Sequence, residues 1–191
     1  LVLILASTSP YRRQLLERLR LPFQVVAPQV DESPLPLETP SVRAQRLALA
    51  KATAVSRRHP TATVIGSDQV AVCKGEVLDK PGGAERCRVQ LRWLSASAAS
   101  FHTAVSVVNP ASHASIEFLD TTTVYFRALA DHEIERYVHA EQPFDCAGGF
   151  RVEALGIALF ARVASEDPTA LIGLPLIALA RALRQLGYEL P

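Results

Sequence analysis

The sequence predicts a mixed α/β or α+β fold, and three observations carry that expectation. Short apolar runs rich in Val, Ile, Leu and Thr alternate quickly with segments of helical spacing. Two helix starts are announced by a hydroxyl residue followed by proline, at Ser9-Pro10 and Thr39-Pro40. No internal repeat, low-complexity tract or long linker divides the chain, so residues 1–191 are expected to form a single domain, with room for two small lobes around a shared core.

Taken in order, Leu1–Ala6 has a buried-strand pattern, and the helix opened by Ser9-Pro10 carries Leu15, Leu16 and Leu19 as its apolar stripe. Phe23–Ala27 reads as a second strand. A loop rich in proline and acid, Pro28 to Pro40, holds Val30-Asp31-Glu32 at its centre. Thr39-Pro40 then starts a long helix reaching about Arg58. Thr63–Cys73 is a strand pattern interrupted by Gly66-Ser67-Asp68-Gln69, which places Asp68 at a strand end. Lys80-Pro81-Gly82-Gly83 is a turn that leads into a helix near Ala84–Leu94. Thr103–Val108 and Ser115–Phe126 have the composition of two hairpin arms. Asp131 is expected to cap a helix to about His139, Cys146–Phe150 to form a glycine-containing loop, and Gly156–Val163 to form a strand. From Pro175 to Leu186, Leu176, Leu179, Leu183 and Leu186 recur at helical spacing, and Gly187 ends the helix.

Composition excludes several classes. The balance of 20 Lys+Arg against 19 Asp+Glu leaves no cation excess for coating nucleic acid, so a nucleic-acid partner is not expected. No apolar run approaches the ~20 residues that cross a bilayer. Leu1–Ala6 is too short for a secretory signal and lacks its basic flank, so a cytoplasmic protein without a membrane partner is expected. Cys73, Cys87 and Cys146 have no CxxC spacing and no nearby His pair, which argues against a disulfide framework or a structural zinc. The five histidines stand at no metal-ligand spacing, and no GxSxG, GxxxxGK[ST] or GxGxxG occurs.

The informative residues break local rules. Arg12 and Arg13 occupy the first turn of a helix, where the dipole disfavours cations by a few tenths of a kcal/mol each. An anion at that helix start, held by backbone N–H groups, the Ser7 and Ser9 hydroxyls and a guanidinium, would reverse the sign. Two solvated surface arginines are the plainer alternative. Lys51 falls inside the apolar stripe of Ala44, Leu47, Ala48 and Val55, so it either snorkels outward or points at an anion. Lys80 is held in a tight turn beside proline. Asp31, Glu32 and Asp68 supply carboxylates at loops and a strand, the chemistry that Mg²⁺ or Mn²⁺ takes. For Asp31 the alternative is a simple Asx-turn. Asp68, an acid at the mouth of a buried strand, needs a partner.

In sequence order, these segments resemble the Maf family of nucleotide pyrophosphatases. The resemblance runs from Leu3-Ile4-Leu5-Ala6-Ser7-Thr8-Ser9-Pro10-Tyr11-Arg12-Arg13 through Val30-Asp31-Glu32 and Arg46-Leu47-Ala48-Leu49-Ala50-Lys51-Ala52. It continues in Ile65-Gly66-Ser67-Asp68-Gln69-Val70, Lys80-Pro81, Cys146-Ala147-Gly148-Gly149-Phe150 and Gly173-Leu174-Pro175-Leu176, and so covers essentially the whole chain. It implies an elongated mixed sheet, similar to that of inosine triphosphatases, with two lobes around a substrate cleft, usually in a homodimer. It also implies hydrolysis of a nucleoside triphosphate, a small-molecule partner, to the monophosphate and pyrophosphate with a divalent metal, Mg²⁺ or Mn²⁺. By matching position, Asp68 resembles the acid that activates the attacking water, and Glu32 with Asp68 the metal-binding acids. Ser7, Arg12, Lys51 and Lys80 resemble the phosphate-handling groups.

Three positions separate substrate branches of that family. The dTTP- and UTP-hydrolysing branch has Arg, Thr and Gln where this chain has Tyr11, Gln69 and Glu153. The set here is similar to the 7-methyl-GTP branch, in which an aromatic residue, Gln and Glu are usual. The chemistry is coherent, because N7-methylation gives the purine a delocalised positive charge that an aromatic face attracts. Glu153 can accept from the guanine N1 and N2 donors and offset the cation. Two departures stand: Tyr11 where that branch usually carries Trp, and Asp79 where glycine often precedes the Lys-Pro turn. The resemblance leaves two rivals, a pyrophosphatase for dTTP, UTP or other modified nucleotides, and a non-catalytic nucleotide-binding regulator of cell division.

Overall fold

In the computed structural model, which describes residues 1–191, β1 (Val2–Ala6) lies between two parallel neighbours, β2 (Gln24–Val25) and β3 (Ala62–Cys73). Ile4 is registered with Gln24 on one side and Val64 on the other, and Ala6 with Gly66. Parallel neighbours require crossovers, and α1 (Pro10–Glu17) and α2 (Pro40–Ser56) provide them. Both helices begin as the sequence predicts: Pro10 and Pro40 sit in the first turn, Ser9 Oγ accepts from Arg12 N, and Thr39 Oγ1 accepts from Val42 N.

The remaining elements are β4 (Glu76–Leu78), α3 (Ala84–Leu94), β5 (Ala98–Asn109), β6 (Ala114–Phe126), α4 (Asp131–Glu141), β7 (Phe160–Ala164) and α5 (Leu176–Gln185). The strand order is β2-β1-β3-β5-β6-β7, with β4 antiparallel on β3. The chain groups into two compact units. Leu1–Gln69, His102–Asp120 and Asp167–Pro191 form the first; Val70–Phe101 and Thr121–Glu166 form the second.

In the first unit β1 and the first part of β3 are buried on both faces, as central parallel strands covered by helices must be. Leu3, Leu5 and Ile65 pack with Leu15 and Leu16 of α1 and Leu179 and Leu183 of α5. Ile4, Ala6 and Val64 point the other way, onto Ala52 and Val55 of α2. Gly66 lets α2 approach this closely. A Cβ there would meet the carbonyl oxygen of Ala48, and the Ala52 nitrogen at 2.6 Å. In the second unit Phe101, Phe126, Phe150 and Phe160 meet edge to face with ring centroids 5.0–5.5 Å apart, the geometry favoured by the ring quadrupole. No helix is long and apolar enough to cross a membrane.

Four local expectations are corrected, and one strand is added. The strand through Gly66-Ser67-Asp68-Gln69 is not interrupted: β3 runs on to Cys73, so Asp68 sits within a strand and not at its end. Gly66 serves the approach of α2, Ser67 donates to Gly173 O at 3.0 Å, and neither breaks the strand. The strand expected over Phe23–Ala27 shortens to Gln24–Val25, where Ile4 and Leu5 alone offer pairing. Asp131 is the first helical residue of α4. Ala130 occupies the cap position, and Glu133 Oε2 accepts from its N–H at 2.8 Å. Leu155–Leu159 is a 3-10 turn and the strand begins only at Phe160, because Gly156 packs onto the Arg151 backbone, where a Cβ would meet Arg151 N at 2.9 Å. The short strand Glu76–Leu78 was not expected.

Candidate active site

Lys51 is the centre of the charged cluster in the first unit. It projects from the buried face of α2, 6% exposed, among Leu47, Ala48, Ala52 and Val55. Its ammonium does not snorkel. Nζ lies 2.7 Å from Asp68 Oδ1 and 2.9 Å from Glu32 Oε1. Asp68, 7% exposed in the middle of β3, thereby has the partner that a buried carboxylate requires. Glu32 reaches the same nitrogen from the acidic loop and keeps a side chain 55% exposed.

That loop is fastened to α2 by two arginines. Arg43 donates through Nη2 to Glu32 O at 3.2 Å, and Arg46 through Nη2 to Ser33 O at 3.1 Å. Arg46 also grips both oxygens of Glu38, in the fork geometry that makes arginine–carboxylate pairs strong. Arg46 holds the Glu38 carboxyl down at about 2. Asp31 closes an Asx-turn by accepting from Ser33 N at 2.9 Å.

A second cation stands at the start of α1. Arg12 is half-buried, and its Nε donates to the carbonyl of Gly173 at 3.0 Å. Gly173 adopts φ +127°, a conformation that side chains resist, and a Cβ there would press on Arg12 Nε at 3.4 Å. Burial draws the Arg12 pKa below the ordinary guanidinium value, while the charges of Asp68 and then Glu32 push it back up. Arg13, by contrast, is exposed and pairs with Glu17. Ser7 is buried just before the helix, and its Oγ accepts from Ser9 N at 3.1 Å, which leaves the hydroxyl proton to donate elsewhere.

Of the base-reading candidates in this unit, Tyr11 is half-buried in the first turn of α1. Gln69, next to Asp68, directs Nε2 to Thr103 Oγ1 at 2.8 Å and to the carbonyls of Ala170 and Leu171 at 3.1 Å. The segment that supplies those carbonyls is organised by Asp167. Its carboxylate accepts from Thr169 N, Thr169 Oγ1 and Ile177 N at 2.6–2.9 Å. Lys80 and Glu153 belong to the second unit, where both are exposed. The turn after Lys80 is tied down by Gly82 N donating to Phe144 O at 2.9 Å.

The structure thus brings Glu32, Lys51 and Asp68 into direct contact, with Arg12 in their field. Sequence reasoning missed Thr103, Asp167, Thr169, Glu38 and Arg43. Only Asp167-Pro168-Thr169 carried a legible local signal, that of a turn. The donor chemistry fits a hard divalent cation. Glu32 and Asp68 each commit one oxygen to Lys51 and keep the other, and such ions are held by one or two carboxylates plus substrate phosphates. No group of three or more His, Cys, Asp or Glu converges, so a protein-only metal cage is not what these residues build.

Comparison with known proteins gives concordant results. Residues 2–186 match the family described as Maf-like protein. A protein of Xanthomonas axonopodis pv. citri named 7-methyl-GTP pyrophosphatase is 57% identical over 189 residues, covering 99% of this chain and 98% of that protein. One of the same name from Bordetella pertussis is 52% identical over 187 residues, covering 98% and 93%. Among solved structures, the Ham1 protein of Staphylococcus aureus aligns with a TM-score of 0.55 at 15% identity, over 98% of this chain and 100% of that one. A HAM1 protein of Coxiella burnetii gives 0.52 at 19%, over 97% and 99%. At such identities the two structures speak for the fold alone. With the family description matched almost end to end, and relatives more than half identical over nearly their whole length, the chain belongs to the Maf family.

Proposed function

We propose that the protein is a nucleotide pyrophosphatase that hydrolyses 7-methyl-GTP to 7-methyl-GMP and pyrophosphate. The observation that carries the reading is the buried Lys51 ammonium bridging Asp68 and Glu32, together with near-full-length relatives named for this reaction. The whole chain, 1–191, is taken as one Maf-like domain. A homodimer in the cytoplasm belongs to the same proposal and rests on the resemblance.

In this reading Asp68 is the general base. Lys51 holds Asp68 Oδ1 and leaves Oδ2 to orient a water against the α-phosphorus. As the new oxygen–phosphorus bond forms, the water's proton passes to the Asp68 carboxylate. The bond from the α-phosphorus to its bridging oxygen breaks, and pyrophosphate leaves. Lys51 has three N–H donors; two serve the carboxylates and the third remains for a phosphate oxygen. Arg12 and Ser7 at the start of α1 add a guanidinium, a hydroxyl and helix N-terminal amides for the same phosphates. A divalent ion, Mg²⁺ or Mn²⁺, would be held by Glu32 and Asp68 and would supply charge neutralisation on the leaving pyrophosphate. Lys80 is assigned to phosphate, and Tyr11, Gln69 and Glu153 to the base, by the matching family positions.

A pyrophosphate-release panel over 7-methyl-GTP, GTP, dTTP, UTP and ATP with Mg²⁺ or Mn²⁺ tests the reading. Preferential turnover of 7-methyl-GTP supports it. Equal rates on UTP and 7-methyl-GTP would remove the base assignment, and no release from any nucleotide would favour a binding-only regulator.

A further inference from the structure

The hydrogen bonds around Gln69 have a fixed polarity, and Thr103 supplies the shortest of the three that fix it. Thr103 is 0% exposed in β5, and its hydroxyl donates to the carbonyl of Ala170 at 3.0 Å. With that proton committed, Thr103 Oγ1 can only accept from Gln69, which stands 2.8 Å away. The other two neighbours of the same amide end, the carbonyls of Ala170 and Leu171 at 3.1 Å, are acceptors by nature. Three acceptors therefore converge on one end of the Gln69 amide. Turning the amide over would set its oxygen against all three, with one hydrogen bond lost for each N–H and lone pairs facing lone pairs. The NH₂ group is locked inward, and Oε1 takes no part in these contacts.

We infer that Thr103 is a positioning residue for base selection: with the carbonyls of Ala170 and Leu171 it fixes the Gln69 amide, so that Oε1 is the atom offered to the nucleotide, an acceptor that selects a base edge bearing an N–H donor. This rests on the nucleotide pyrophosphatase reading above and deepens it. Guanine presents N–H donors side by side at N1 and N2, whereas adenine presents a lone pair at N1 and its one amino group at N6, where guanine has a carbonyl oxygen. The two 7-methylated purine nucleotides carry the same cationic ring, so a preference between them isolates the edge from the charge. Because Thr103 has no exposed surface, it acts through Gln69 and not by touching the nucleotide.

The experiment compares kcat/KM for 7-methyl-GTP and 7-methyl-ATP in the wild type, Thr103→Val and Thr103→Ser. Val keeps the shape without the hydroxyl; Ser restores it. The 7-methyl-GTP preference should fall about tenfold in Thr103→Val, the scale of one net hydrogen bond, mainly through KM, and return in Thr103→Ser. An unchanged preference in Thr103→Val, or Thr103→Ser as impaired as Thr103→Val, overturns the assignment. A second measurement needs no variant: exchange of the Gln69 side-chain amide protons, read by ¹⁵N-resolved NMR against exposed Gln14. Slow exchange at Gln69 supports the locked amide; exchange as fast as at Gln14 refutes it. Should the wild type release no pyrophosphate from 7-methyl-GTP, the substrate reading fails, and the NMR result still decides the polarity.

Discussion

Lys51 Nζ stands 2.7 Å from Asp68 Oδ1, with both side chains buried and 17 positions apart in the chain. The lysine that breaks the apolar stripe of α2 and the acid that breaks the apolar run of β3 are halves of one feature. Their removal should have unlike consequences. Asp68→Asn keeps the volume and a hydrogen-bonding oxygen for Lys51, so it should fold while turnover falls ~10²–10⁴-fold through loss of the base. Lys51→Met strands a buried carboxylate and should cost about 3–5 kcal/mol of stability as well as activity. Denaturant melts beside pyrophosphate release separate the two effects, and full turnover in Asp68→Asn would contradict the catalytic assignment.

Base preference should move with the residues assigned to reading it. Tyr11→Arg combined with Glu153→Gln places a cation where the methylated purine needs none, and removes the carboxylate that would offset it. The ratio of 7-methyl-GTP to UTP turnover should shift toward UTP by about tenfold, near the 1.4 kcal/mol scale of one cation–π or charged contact. A competition assay with both nucleotides reads that ratio directly.

Acid should loosen the loop that carries Glu32. The Glu38 carboxyl is held at about 2 by Arg46, below its ordinary 4.5. Its contribution to stability is present above pH 4.5 and is lost as pH falls through about 2. Thermal midpoints measured from pH 7 to pH 2 should therefore fall most steeply below pH 4.5. Glu38→Gln should lower the midpoint at pH 7 and flatten that acid limb.

Gly66 should tolerate no side chain. In Gly66→Ala the new Cβ meets the backbone of α2 at Ala48 and Ala52, and backbone cannot rotate away as a flexible side chain would. Overpacking of this kind costs ~1–3 kcal/mol. Because Asp68 lies two residues along the same strand, turnover should fall together with the melting temperature.

What was legible in the sequence was mostly local. The starts of α1 and α2 are decided by hydrogen bonds spanning three residues, Ser9 to Arg12 and Thr39 to Val42, so the two Pro-containing caps located both helices. The close of α5 at Gly187 was equally readable. Illegible were the elements whose boundaries depend on distant partners. β2 is as short as its pairing with Ile4 and Leu5 allows, and Leu155–Leu159 turns because Gly156 rests on Arg151. The charged residues were legible as anomalies, since a lysine in an apolar stripe and an acid in an apolar strand are costly without partners.

By itself, then, the sequence determined the mixed α/β class, the family resemblance in its ordered motifs, and a short set of groups needing counterparts. Only the tertiary structure decided how those needs are met. It chose pairing with Glu32 and Asp68 over snorkelling for Lys51, clasped the Glu32 loop with Arg43 and Arg46, and gave the Gln69 amide its polarity through Thr103 and the carbonyls of Ala170 and Leu171. The reason is physical: propensities and caps act over a turn or two of chain. The pairing of a buried charge, or the direction of a buried hydrogen bond, is fixed by atoms that folding alone brings within 3 Å or so of one another.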